Sequence, residues 1–403
     1  MKIIKKIILL LMLSIISIQT ISFADEVSIK SKSAILVEVS TGRILYEKNS
    51  TEKMWPASTT KIMTAILVIE KGNLNDMVTV TETAIGNIPS GYVTCDLQVG
   101  EEISVKDLLN ALMIKSANDA AYVLAEHIGG SIDGFSDLMN QKARELGCTG
   151  THFVNPNGIH DDRHYSTAYD LYLIATYAMK NQTFRDLVSQ TEAVLPVTNL
   201  YPNEDRILKT TNALINPDST NYYKNAIGIK TGYTSQAGNC LVSEASRDGL
   251  EFIAVVLNGD RFPDSIQLFD YAYDNFTLTK IKEKNTVVDT IEIENATKET
   301  KMLDMIIDES ITVINNKSID VNQIIPEIKL KEELVAPIKA GEEIGTIKYK
   351  VDDIEYSAKL LAKADVEEQT YYSVIIFIGI VLLLIAFLLL STRRKNKKKN
   401  RRR

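Results

Sequence analysis

The stretch "AIGIKTGYTSQAGNCLVSEASRDGLEFIAVVLNG", Ala226 to Gly259, decides the fold of the first domain. It reads as three strands in succession, "AIGIKTG", "NCLVSEAS" and "LEFIAVVLNG", the last two joined by a turn at Arg247-Asp248-Gly249. A helical pattern in "PDSIQLFDYAYDNF" closes the run. Far upstream, "SAILVEVSTGRILYEKN" reads as a hairpin, with strand Ala34 to Val39, a Ser40-Thr41-Gly42 turn, and strand Arg43 to Glu47. Between them helical patterns dominate, notably "SVKDLLNALMI", "NDAAYVLAEHI" and "TAYDLYLIATYAM". The simplest α/β arrangement is one sheet built from both ends of the domain, with a helical lobe inserted between them.

Outside this core the texture changes. From about Thr277, short alternating stretches such as "TVVDTIEIE", "ITVINNKS", "IGTIKYKV" and "IEYSAKLLA" predict a smaller all-β domain over 277–368. It contains no histidine or cysteine, and a spacer is its simplest reading. Residues 1–24 carry Lys2, Lys5 and Lys6, an apolar run and Ser22-Phe23-Ala24, the pattern of a cleaved secretory signal. The boundaries of the first domain are therefore expected at 25–276. Ser373 to Ser391 is uncharged and apolar, long enough to cross a bilayer of roughly 30 Å. Tyr371 and Tyr372 sit at an aromatic-belt position, and a basic tail, 392–403, places that end in the cytoplasm. The exported body keeps all 52 acidic residues of a chain with 45 basic ones, twelve of which lie in the signal and tail. Its balance of about −19 argues for a solvated extracellular domain and against nucleic-acid binding. Cys95, Cys148 and Cys240 are too few and scattered for a disulfide framework; Cys95 and Cys148 pair only if the fold brings them together.

The chemistry sits in three short motifs. In "MWPASTTKIMTA", Met54 to Ala65, Ser58 and Lys61 stand three apart after Pro56, at the start of a helix marked by Ile62, Ile66 and Ile69 and ended by Gly72. Serine is a weak nucleophile without a base, and lysine becomes a base only where burial or nearby positive charge lowers its pKa. A second lysine against Lys61 in a dry cleft would do this. The first helical turn also aims backbone N–H groups at a developing oxyanion. Ser50-Thr51-Glu52-Lys53 repeats the spacing but follows a strand, as a loop with solvated side chains. Ser116-Ala117-Asn118 falls at a break between helical patterns, and Lys230-Thr231-Gly232 ends a strand. Ser219-Thr220-Asn221 is a decoy for the second motif in a turn-rich loop.

Taken in order, S-x-x-K, S-x-N and K-T-G resemble the active-site set of penicillin-binding proteins and serine β-lactamases. The flanks "FVNPNGIHDDRHYSTAYDL" and "GIKTGYTSQAGNCLVSEASRDGLEFIAVVLNG" are similar to the D-alanyl-D-alanine carboxypeptidases, low-molecular-mass penicillin-binding proteins of the bacterial envelope. "APIKAGEEIGTIKY" is similar to that family's C-terminal module. The resemblance implies a β-lactamase/transpeptidase-like antiparallel sheet with helices. It implies that Ser58 forms the acyl-enzyme, that Lys61 is its base, and that Ser116 relays a proton to the departing D-alanine. Asn118 would bind the substrate backbone, Lys230 and Thr231 the terminal carboxylate, and Gly232 would let the substrate strand lie close. The N–H groups of Ser58 and Tyr233 would form the oxyanion hole. Arg261, in "DRFPD", is either a second carboxylate ligand or a solvated arginine at a helix start. Asp170 would order its loop. Two departures stand out: a spanning helix in place of an amphipathic one, and Tyr233 where some members carry histidine.

The resemblance implies peptidoglycan stem peptides and β-lactam antibiotics as partners, with no cofactor. A zinc site is not expected, since His160 and His164 are four apart in a loop without a third ligand; His127 and His152 read as structural. Two rival functions share the motifs. A β-lactamase would need a glutamate for deacylation between the second and third motifs, and none stands out. A non-catalytic sensor of wall peptides would have no use for an intact Ser58, Lys61 and Ser116.

Overall fold

The computed structural model describes residues 27–86, 88–369 and 372–400. The expected signal segment, 1–24, lies outside them, as do Tyr371 and the last three arginines. Contacts divide the chain between Thr277 and Leu278 into two units.

In the first unit a five-stranded antiparallel sheet runs, in spatial order, Ile44–Lys48, Ser33–Glu38, Leu250–Leu257, Gly238–Arg247 and Ala226–Thr234. The turn at Asp248-Gly249 has both residues at positive φ, +55° and +81°, and Arg247 pairs with Leu250. That is a two-residue hairpin of the kind Asp-Gly favours, because its twist matches that of the strands. The central strand Leu250–Leu257 is apolar on both faces because both are covered. Phe252 meets Tyr273 of the Arg261–Asn275 helix edge to face, while Ile253, Val255 and Leu257 turn to the core shared with the helical lobe.

That core surrounds the Lys61–Lys71 helix, whose residues 61–68 are all buried. The Ile62, Ile66, Ile69 spacing marks one face, but the first two turns are enclosed on every side, as an all-round apolar helix requires. Lys61 begins this helix and is buried with it. The lobe adds helices at Val105–Asn110, Asn118–Gly129, Ile132–Glu145, Ala168–Met179 and Gln182–Val188. It also holds two short hairpins that the helical patterns did not announce, Met77–Thr79 with Glu102–Ser104 and Glu192–Leu195 with Arg206–Lys209. All three cysteines are free and buried, so Cys95 and Cys148 do not pair.

In the second unit an antiparallel sheet runs Val287–Glu292, Met302–Ile307, Ile354–Ala362, Glu343–Val351, Glu327–Leu330, beside a pair formed by Phe276–Lys282 and Ile311–Asn316. Its own core includes Leu303, Ile307, Val313, Ile347 and Leu360. The chain continues into a helix over Tyr372–Asn400, of which the 19 residues Ile375–Arg393 are apolar enough to cross a membrane and unburied. At 1.5 Å per residue that window spans about 28 Å, close to a bilayer core.

Candidate active site

Ser58 lies on a single 3-10 turn, Ala57–Thr60, that leads into the Lys61 helix. Three features fix this turn. Ala57 has a positive φ of 49°, rarely adopted by residues with a side chain. Gly158 approaches so closely that a Cβ there would stand 1.8 Å from the Ala57 carbonyl oxygen. His164, which is buried, accepts from the Val154 N–H through Nδ1, which leaves Nε2 to donate to Thr60 Oγ1 at 2.8 Å. Burial pushes the His164 pKa down to about 3, so the ring is neutral. Both its nitrogens are thus engaged in protein hydrogen bonds, and His160 instead packs edge-on to Trp55.

Lys61 Nζ reaches three groups: Ser58 Oγ at 3.0 Å, Asn118 Oδ1 at 2.9 Å and Ser116 Oγ at 3.5 Å. Ser116 is presented by a π-helical turn, Ala111–Lys115, and takes a left-handed conformation at φ 64° that breaks the helix before Asn118 restarts it. Lys230 Nζ reaches the same Ser116 Oγ at 2.9 Å from the sheet side. Burial, then the charge of Lys230, lower the Lys61 pKa far below its ordinary value, against a smaller opposing pull from Asp119. Lys230 falls to about 7, by burial and then by the charge of Arg261. A neutral amine 3.0 Å from a hydroxyl can take its proton.

The cleft in front of these groups has a volume of about 480 Å³. Ser58, Ser116, Asn118, Thr231, Gly232, Tyr233 and Arg261 all line it. Lys230 is not among them: its amine is buried and bonded to Ser116 and to the Thr231 carbonyl, each at 2.9 Å. Asn118 is also more committed than expected, since Oδ1 accepts from Lys61 and Nδ2 donates to the Val93 carbonyl at 2.8 Å. Gly232 is crowded by the protein itself; a Cβ there would meet Pro56 O and Ser58 N at 3.0 Å. The strand thus lies directly on the Ser58 turn. Arg261 does start its helix, but it is half-buried and not merely solvated. Its Nη1 donates to the Gly232 carbonyl at 3.0 Å, and burial lowers its pKa. Asp170 does order its loop, accepting from Gly150 N at 2.8 Å and Thr151 Oγ1 at 2.6 Å.

The repeated spacing at Ser50 and Lys53 is not assembled into a site. Ser50 is buried rather than solvated, its hydroxyl donating to Glu47, while Lys53 is exposed over the Tyr165 ring. Ser219 caps its own turn by accepting from Asn221 N. Sequence reasoning missed the Ser90–Val93 loop, Gly158, Ile159 and Thr211 as cleft-lining residues. It also missed Asp119, whose carboxylate accepts from Cys95 N and Leu97 N and so ties that loop to the second motif.

Sheet, lobe and the three assembled motifs define the class of the penicillin-binding-protein and transpeptidase folds. The chain belongs to the D-alanyl-D-alanine carboxypeptidase family of peptidases, whose profile matches residues 19–261. Residues 276–368 match the penicillin-binding protein 5 C-terminal domain. D-alanyl-D-alanine carboxypeptidase DacF of Bacillus subtilis is 33% identical over 363 residues, covering 87% of this chain and 90% of that one. DacC of Escherichia coli is 31% identical, covering 86% of each. Among solved structures, penicillin binding protein 5 from Haemophilus influenzae matches with a TM-score of 0.65 at 27% identity, covering 85% of this chain and 98% of the other. The Streptococcus pneumoniae peptidoglycan synthesis regulatory factor PBP3 matches with a TM-score of 0.68 at 25% identity, covering 84% and 100%.

Proposed function

We propose that this chain is a membrane-anchored serine carboxypeptidase that removes the terminal D-alanine from peptidoglycan stem peptides through an acyl-enzyme on Ser58. The observation that carries this reading is the buried Lys61 amine, 3.0 Å from the Ser58 hydroxyl and depressed in pKa by burial and by Lys230. Ser58 Oγ attacks the carbonyl carbon of the penultimate D-alanine and gives its proton to Lys61. The oxyanion is held by the N–H groups of Ser58 and Tyr233. Collapse breaks the peptide bond, and the departing amine takes a proton from Lys61 through Ser116, which touches both lysines. Water then attacks the ester, its proton passing to Lys61, and releases Ser58. Thr231 and Arg261 receive the terminal carboxylate, while Lys230 acts through its charge and its bond to Ser116.

In this reading the Ile375–Arg393 helix spans the cell membrane, with the catalytic unit outside and the basic tail in the cytoplasm. β-Lactams acylate the same serine. The test is release of D-alanine from diacetyl-Lys-D-Ala-D-Ala by the purified full chain in detergent. Repeated turnover by the wild type and none by Ser58→Ala is expected; release by the variant, or none by the wild type, would overturn the proposal.

A further inference from the structure

Thr231 presents one hydroxyl to the cleft, and that hydroxyl already has a partner. Thr211 Oγ1 lies 2.6 Å from Thr231 Oγ1, and both residues line the cavity beside Arg261. Two hydroxyls so close share a single proton in the bond between them. If Thr231 donates to Thr211, its oxygen turns only lone pairs outward and repels an anion. If Thr211 donates to Thr231, the Thr231 proton is left to point into the cleft. The geometry points to Thr211 as a positioning residue for substrate recognition, which sets the Thr231 hydroxyl as a donor to the free carboxylate of a D-Ala-D-Ala terminus.

The placement of Thr211 is built. It lies in the segment between the Arg206–Lys209 and Ala226–Thr234 strands, and its N–H donates to the Ile114 carbonyl at 3.2 Å, two residues before Ser116. The following Asn212 is buried and holds the segment by accepting from Leu214 N at 3.1 Å. Thr211 therefore bridges the second and third motifs, by its backbone to one and its side chain to the other. Thr211 is itself exposed, so its hydroxyl is open to solvent on the outward side. The Lys230 amine donates instead to Ser116 and to the Thr231 carbonyl, both at 2.9 Å. Arg261 brings positive charge to the same seat, and the Thr231 hydroxyl, set by Thr211, adds one directed donor; a site that offers donors to a planar carboxylate tells an acid from an amide of the same shape.

This inference rests on the carboxypeptidase reading, and its test separates the two. Binding is measured by calorimetry with the full chain in detergent, in the Ser58→Ala background, so that no turnover is needed. The probes are diacetyl-Lys-D-Ala-D-Ala and its C-terminal amide. The Ser58→Ala protein should prefer the acid by about tenfold or more. Thr211→Val, which keeps the shape and removes the hydroxyl, should collapse that preference to within about twofold, while affinity for the amide stays constant. Thr211→Ser should restore it. In the active enzyme, Thr211→Val should raise KM for the acid about tenfold with kcat changed less than threefold. An unchanged acid preference in Thr211→Val, an equal loss for acid and amide, or no preference in the parent protein would each overturn the inference. Failure of the wild type to release D-alanine would instead overturn the proposed function.

Discussion

Lys61 and Lys230 converge on one hydroxyl, that of Ser116, at 3.5 and 2.9 Å from opposite sides. Two buried amines that share one partner cannot both stay protonated cheaply, and both are lowered, Lys61 well below its ordinary value and Lys230 to about 7. The charge of one buried lysine thus favours the neutral form of the other. Replacing Lys230 by Met should raise the Lys61 pKa and move the acidic limb of the penicillin acylation rate toward higher pH. The displacement should be largest below about pH 7, where Lys230 is charged in the wild type. Acylation rates across pH 5 to 9 check this, and an acidic limb that stays in place would show that burial alone tunes Lys61.

The same residue should leave a mark on stability. Lys230 titrates near 7 in the folded chain against 10.5 ordinarily, so between those values the unfolded state binds more protons. Its contribution to stability therefore rises with pH from about 7 to 10.5 and is most unfavourable below 7. The melting temperature of Lys230→Met, relative to wild type, should be highest near pH 6 and decline steadily toward pH 10. A difference that does not vary with pH would contradict the depressed lysine.

Gly158 and Gly232 press on the Ser58 turn from two sides, and alanine at each should act differently. At Gly158, φ is +81° and the added carbon would stand 1.8 Å from Ala57 O, so backbone has to move. Gly158→Ala should cost on the order of 3 kcal/mol or more and lower the melting temperature markedly. At Gly232 the contacts are 3.0 Å, which a shift of tenths of an ångström relieves. Gly232→Ala should keep most of its stability but lose roughly tenfold or more in acylation rate, because Ser58 N and the strand part together. Equal effects of both substitutions on melting and acylation would refute this distinction.

Much of the site is legible in the sequence because its motifs are local. Ser58 and Lys61 stand one turn apart at a helix entry, the break at Ser116 is visible between two helical patterns, and Lys230 lies in an apolar strand, although that strand does not end at the Lys230-Thr231-Gly232 triplet but runs through it to Thr234. Thr211 is illegible for the opposite reason: an exposed loop threonine gains meaning only from the Ile114 carbonyl and Thr231 hydroxyl that tertiary packing sets beside it. The direction of Lys230 is likewise a packing outcome. The hairpin at Glu192–Leu195 and Arg206–Lys209 escapes because its Val194 and Ile207 are exposed, so no buried face imposes a clear alternation.

The repeated Ser-x-x-Lys spacing offers a control within the chain. A fluorescent penicillin should label the wild type and Ser50→Ala alike, because Ser50 donates to Glu47 and Lys53 lies over Tyr165. Ser58→Ala should not label. Label retained by Ser58→Ala would place the nucleophile elsewhere.

The cleft's composition leads to an asymmetry between peptide and drug. Among the described residues that line it, hydroxyls, amides and Arg261 are present, but no glutamate or aspartate. After a D-Ala-D-Ala peptide acylates Ser58, the free D-alanine diffuses away and water can enter beside Lys61, whose amine lies 3.0 Å from the Ser58 hydroxyl. After penicillin acylates Ser58, the leaving group remains tethered to the adduct and fills that space, and no carboxylate among the described lining residues stands ready to activate water from another side. The enzyme should therefore release D-alanine through many turnovers yet hold a stoichiometric penicilloyl adduct for minutes to hours. Intact mass spectrometry follows the adduct while D-alanine release counts turnovers. Rapid, repeated hydrolysis of penicillin with no D-alanine release would identify a lactamase, and formation of neither adduct nor product would identify a binding protein that has kept the motifs without the chemistry.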